Sequence, residues 1–231
     1  MTASAAQHRA VWEIPGWLTA TLLVAGTALG GPALGSLPRP LFILACGLVA
    51  QIAWRQSAAA HLQAALILFA FSPLVRRLID PSAGFDPSGI MLVGPLLALL
   101  VPGQILLRVI QPPSGSAPVT LGRIALPALI VAATVLYGAL LSVMQNDISN
   151  AASGSVKWFA PLIYALALLV RGEQGLPQAA ARAFLINLPV AGAYGAFQYV
   201  NPPAWDRFWM NYGSITSAGF PELTPSGCSA R

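Results

Sequence analysis

Long apolar runs recur along the chain, separated by short polar or Pro- and Gly-rich breaks, and within each run the apolar residues are continuous rather than alternating with polar ones. Runs of this kind predict helices that cross a lipid bilayer, because a span must satisfy its own backbone hydrogen bonds where no water can. They fall at 17–37, 41–54, 58–74, 89–107, 124–143, 156–170 and 179–200. The runs at 41–54, 58–74 and 156–170 are short for a bilayer. They either lean on flanking Trp and Arg side chains or form a re-entrant pair, so the expected count is about seven, within a range of five to seven. Breakers support the segmentation: Pro38 and Pro40, Pro81 and Pro87, the run Gln111-Pro112-Pro113-Ser114-Gly115-Ser116, the stretch 172–177, and Pro202-Pro203. A strand barrel would need short alternating segments, whereas these runs are rich in Leu and Ala, which favour helix. The expected fold is therefore all-α, a polytopic integral membrane helical bundle. A polar N-terminal segment occupies 1–15, the transmembrane helical domain 16–200, and an aromatic-rich extracytoplasmic tail 201–231. The first run starts after Arg9 and outlasts the apolar region of a signal peptide, so it reads as an uncleaved span.

Composition strengthens this picture. The chain is 56% hydrophobic and only 8% charged, against roughly 25% charged residues in a soluble domain, so a water-facing surface cannot be built from it. The formal net charge of +5 does not point to nucleic acid, because the 12 Lys and Arg are scattered between apolar runs and form no dense stripe. They read as interfacial and topological charges. The two cysteines, Cys46 inside a run and Cys228 near the end, are unsuited to pair with each other. With seven spans the Lys and Arg divide equally between the two sides, which leaves the positive-inside rule undecided. The weak acidic asymmetry (Glu13 and Glu173 against Asp80, Asp86, Asp147, Asp206 and Glu222) favours a cytoplasmic N-terminus. On that choice the region 76–86 and everything after Val200 face away from the cytoplasm.

Two places have the chemistry of a site. Arg76-Arg77-Leu78-Ile79-Asp80 follows a short span, and paired arginines on the outer side run against the usual topological preference. Two guanidinium groups at a membrane surface suit bidentate contacts with phosphate oxygens. Asp80 orients one of them if the helix continues, and a lipid-linked phosphate or pyrophosphate would fit. The competing reading is a pair of interfacial anchors that snorkel to the headgroups. Around the end of the last run, Tyr194, Phe197 and Tyr199 lead into Trp205, Trp209 and Tyr212, aromatics with one Asp-Arg pair (Asp206-Arg207) that offer faces on which sugar rings stack, with Arg207 a contact for a phosphate. An aromatic belt at the interface is the competing reading there. His8 and His61 lie far apart with no further ligand at metal spacing, and no phosphate-cradling Gly-rich loop, nucleophile elbow or catalytic triad is present, so no metal, no cofactor and no catalytic residue is assigned.

Three stretches, taken together and in order, resemble the bacterial O-antigen ligases and the related O-antigen or exopolysaccharide polymerases. They are FSPLVRRLIDPSAGFDPSGIMLVGPLLALLVP at 71–102, YGALLSVMQNDISNAASGSVKWFAPLIYALAL at 137–168, and GAYGAFQYVNPPAWDRFWMNYGSITSAGFPE at 192–222. They cover a little under half of the chain, and YGAFQYVNPPAWDRFWM is the most specific part. The resemblance implies a protein of the bacterial inner (cytoplasmic) membrane, related to glycosyltransferases that move glycan from an undecaprenyl-pyrophosphate carrier to an acceptor at the periplasmic face, without nucleotide or metal. The implied partners are membrane lipid and the undecaprenyl-pyrophosphate-linked glycan, with no nucleic acid, and Arg76 and Arg77 would then meet the carrier's phosphates. Family members are longer, with further spans and a large periplasmic loop that carries the residues assigned to catalysis. The tail Leu-Thr-Pro-Ser-Gly-Cys-Ser-Ala-Arg is too polar to begin another span. The expectation is an N-terminal portion, inactive alone: either a truncated or frame-shifted product, or a fragment that a downstream polypeptide completes. The alternatives are a small transporter or flippase-like carrier, which predicts polar residues facing a cavity inside the spans, and a non-catalytic scaffold or gene remnant.

Overall fold

The computed structural model describes residues 35–86, 89–106, 122–145 and 147–217, and within them every regular element is helical. Seven α-helices follow one another: α1 Pro38–Gln56, α2 Ala58–Ala83, α3 Val93–Leu100, α4 Gly122–Met144, α5 Ile148–Arg171, α6 Leu176–Val200 and α7 Ala204–Ser217. Among the described residues, three helical segments are long and apolar enough to cross a membrane, Ala58–Ala83, Ala125–Met144 and Ala151–Arg171, and Ile90–Leu106 is a shorter apolar stretch. The expected run at 17–37 lies almost wholly outside the described residues, as do Pro87, the stretch 111–116 and everything after Ser217.

The largest departure from the expected boundaries is α2, which does not stop at Leu74 but continues to Ala83 through Pro73 and Pro81. Proline has no N–H to offer the carbonyl four residues back, which for Pro73 is that of Phe69. The Ser72 hydroxyl donates to the Phe69 carbonyl at 3.3 Å, so the freed acceptor is satisfied and the helix runs on. Arg76, Arg77 and Asp80 are thus helical residues, not a loop between spans. The expected span at 89–107 is a broken helix: a 3-10 turn at Ile90–Leu92, α3, and a second 3-10 turn at Val101–Gly103. Pro102 cannot donate to the carbonyl of Ala98, and His61 Nε2 supplies a donor to that oxygen at 3.0 Å. Because a carbonyl only accepts, the ring proton sits on Nε2, and Nδ1 accepts from the Tyr164 hydroxyl at 3.2 Å. One fully buried histidine therefore ties α2, α3 and α5 together.

Around this clamp, α1, α2 and α3 share a core of Phe42, Cys46, Ala50, Leu68, Val75, Ile79, Met91 and Ala98, and a second cluster of Ala65, Leu99, Ala160 and Tyr164 adds α5. A Cβ on Gly94 would stand 3.0 Å from Cys46 Sγ and 3.4 Å from the backbone of Ile43, so the approach of α1 to α3 requires glycine at that position. Helix α6 packs along α2, and α4 along α5. None of the central apolar window of α4 is buried, so that helix offers its leucines and isoleucines outward, as a lipid-facing helix does.

Polar contacts gather at the two ends of the helices. At one end the turn from α1 to α2 is Ser57 alone; Glu173 Oε2 accepts from the backbone N–H of Ala58 at 2.6 Å, and Arg171 donates to the Trp54 carbonyl at 2.6 Å. At the other end lie Arg39, Asp80, Tyr194 and α7. Ala58 and Asp80 are both on α2, and at 1.5 Å per residue they stand about 33 Å apart, close to the thickness of a bilayer's hydrocarbon core.

Candidate functional site

The site is built where the C-terminal turns of α2 meet α7. Residues 76 and 80 lie one helical turn apart on one face, and residue 77 is rotated about 100° away, so the two adjacent arginines serve different neighbours. Asp80 is completely buried. Its Oδ1 accepts from Arg39 Nη2 at 2.9 Å, and its Oδ2 lies 3.5 Å from Arg76 Nε, so one carboxylate is clamped between two guanidinium groups. Arg39 also donates to the Gly84 carbonyl, and Arg76 to the Asp86 carbonyl. The Asp86 carboxylate accepts from the N–H of Ile90 at 2.9 Å and caps the turn that opens the broken helix. Together these bonds pin the segment between α2 and α3. Gly89 belongs to the same arrangement: its φ is +63°, and a Cβ there would stand 3.4 Å from Arg76 Nη1.

Arg76 is stacked as well as paired, its guanidinium carbon lying 4.5 Å from the centre of the Trp209 ring and 5.9 Å from that of Phe85. The two rings meet edge to face at 5.1 Å. Arg77 points to α7 instead, donating from Nη1 to Asp206 Oδ1 at 2.9 Å. Asp206 is buried too, and its other oxygen accepts from the Tyr194 hydroxyl at 2.5 Å, which in turn accepts from Trp205 Nε1 at 3.0 Å. The side chain of Arg77 remains 34% exposed, and Arg207, the next residue after Asp206, is exposed.

Of the residues expected from sequence, Arg76, Arg77, Asp80, Trp205 and Trp209 come together at this end. Arg207 stands at the rim and makes no ion pair with the described residues, and the side chain of Tyr212 lies outside what is described. Tyr194, expected with the aromatics of that constellation, joins them through Asp206, whereas Arg39 and Asp86 were missing from the expected set. Arg39 had a signal, since a seven-span count puts it on the same side as Asp80. Asp206 pairs with Arg77 rather than with the adjacent Arg207, because successive residues on a helix do not face each other.

The roles consequently separate. Asp80 and Asp206 are internal counter-ions, Arg39 and Arg76 are held largely by their own protein, and Arg77 and Arg207 keep donors facing outward. Four arginines against three aspartates leave a formal surplus of one positive charge, held beside tryptophan rings: an arrangement whose chemistry suits an anion carrying a flat or apolar group.

Among the described residues, the fold and site define an all-helical protein with helices apolar and long enough to cross a membrane and a charged and aromatic platform at one end. No protein-family model matches the chain, and neither a curated protein nor a solved structure matches it.

Proposed function

We propose that this chain is a multi-span protein of the bacterial inner membrane, of the O-antigen ligase and polymerase type, that binds the pyrophosphate of an undecaprenyl-linked glycan at its extracytoplasmic face. The observation that supports this best is the meeting of Arg76-Arg77 with Trp205-Asp206-Arg207-Phe208-Trp209 across a separation of 129 residues. Two of the three stretches that resemble the family thus meet in space. In this account Arg77 and Arg207 contact the pyrophosphate oxygens, Trp205 offers a face to the first sugar, and the polyprenyl chain stays in the lipid beside the bundle. Asp80 and Asp206 hold the arginine frame before the ligand arrives, so little side-chain ordering remains to oppose binding. No residue is assigned to bond making or breaking.

The test is binding of undecaprenyl pyrophosphate, against undecaprenol, to the purified protein in detergent. Arg207→Ala combined with Arg77→Lys keeps a charge opposite Asp206 but removes the bidentate donors. It should weaken pyrophosphate binding about tenfold and leave undecaprenol unaffected. Equal binding of the two polyprenyl ligands, or an unchanged affinity in the double variant, would overturn the proposal.

A further inference from the structure

The opposite end of the bundle holds a cavity of about 540 Å³, lined by Gln51, Trp54, Arg55, Gln104, Ile105 and Arg171. Arg171 is fixed within it. Its Nε donates to Glu173 Oε1 at 2.8 Å, its Nη1 to the Trp54 carbonyl at 2.6 Å, and its guanidinium carbon stacks 4.2 Å from the centre of the Trp54 ring. The Glu173 charge is occupied twice over, by Arg171 and by the first N–H groups of α2, so it does not neutralise the cavity's other arginine. Arg55 is that other arginine: it is exposed and makes no hydrogen bond or ion pair with the described residues. Gln104 donates to Gln51 Oε1 at 3.3 Å, which leaves the Gln51 amide N–H₂ for a ligand. One unmatched positive charge, amide donors and an indole wall suit a monoanionic phosphodiester.

The surface leading to the cavity identifies the source of that phosphodiester. Leu41, Leu44, Leu48 and Ile52 are all exposed on α1, and their spacing of three or four residues makes a single stripe that Arg55 continues. A molecule with acyl chains along that stripe carries its headgroup to Arg55. We infer that this cavity is a binding site for an anionic glycerophospholipid, with the phosphate held by Arg55, Gln51 and Arg171 and the acyl chains lying on the apolar stripe of α1. The site is at the far end of the bundle from Arg77 and stands whether or not the polyprenyl ligand is correct.

Native mass spectrometry of the whole protein, equilibrated in detergent with phosphatidylglycerol or phosphatidylcholine, tests the assignment. The protein should retain phosphatidylglycerol in preference to phosphatidylcholine, Arg55→Ala should lower that retention about fivefold, and Arg55→Lys should restore most of it. Equal retention of the two lipids, or by wild type and Arg55→Ala, overturns the site. Displacement of the lipid by millimolar glycerol phosphate would assign the cavity to a soluble anion and overturn the lipid.

Discussion

Asp80 shows how a charge is accommodated among apolar helices. With no exposure to solvent, its carboxylate is stable only because Arg39 and Arg76 approach it from two sides. Asp80→Ala leaves two guanidinium groups without their shared acceptor, and such a loss costs about 3–5 kcal/mol. The expected outcome is a marked fall in the melting temperature of the detergent-solubilised protein, followed by tryptophan fluorescence; an unchanged transition would mean that the pair is ornamental. The Arg76–Asp80 part of this arrangement was legible in the sequence, because residues four apart on a helix are neighbours. The Arg39–Asp80 part was not, since it joins residues 41 apart whose proximity depends on how α1 packs against α2. Arg77 with Asp206 is the same case at greater distance, 129 residues apart.

Among the helices, hydropathy located the segments better than it located their ends. The apolar run of α2 gives out near Leu74, yet the helix goes on because Ser72 takes up the carbonyl that Pro73 leaves free and because Arg76 and Asp80, one turn apart, form an ion pair where they stand. A window of mean hydropathy is pulled down there by Arg76, Arg77 and Asp80 and ends the span. The segment at 89–107 errs in the other direction: the run is apolar throughout, but Pro102 interrupts it and short 3-10 turns flank α3 at Ile90–Leu92 and Val101–Gly103. Gly94 carries a direct consequence. Gly94→Leu must push α1 away from α3 or displace Phe42 and Cys46, at a cost of about 1–3 kcal/mol. Cysteine reactivity reads this out, because Cys46 is buried in the native packing. Maleimide labelling of Cys46, negligible in the native protein below its unfolding transition, should become measurable in the variant. Continued protection of Cys46 would show that the two helices tolerate a side chain at that contact.

For the molecule as a whole, the helix directions follow from the hydrogen bonds at the two ends. Glu173 and Arg171 meet the α1–α2 turn, Tyr194 and Asp206 meet Arg77, and α6 runs between the two groups. At 25 residues and 1.5 Å per residue, α6 is about 37 Å long, enough to reach from one membrane face to the other. The proposed carrier site and the proposed phospholipid site would then face opposite compartments. Gln174 and Ala204 are both exposed and bracket α6, so they report its two ends without touching either site. Single cysteines at these positions, in a chain with Cys228→Ser and the buried Cys46 left in place, can be labelled in intact cells with a membrane-impermeant maleimide. The account predicts that Ala204→Cys is labelled from outside and that Gln174→Cys is labelled only after the membrane is opened. Labelling of both from the same side would contradict a bundle that crosses the membrane along α6, and labelling of Gln174→Cys alone would put the Arg77 platform in the cytoplasm, where the proposed function cannot operate.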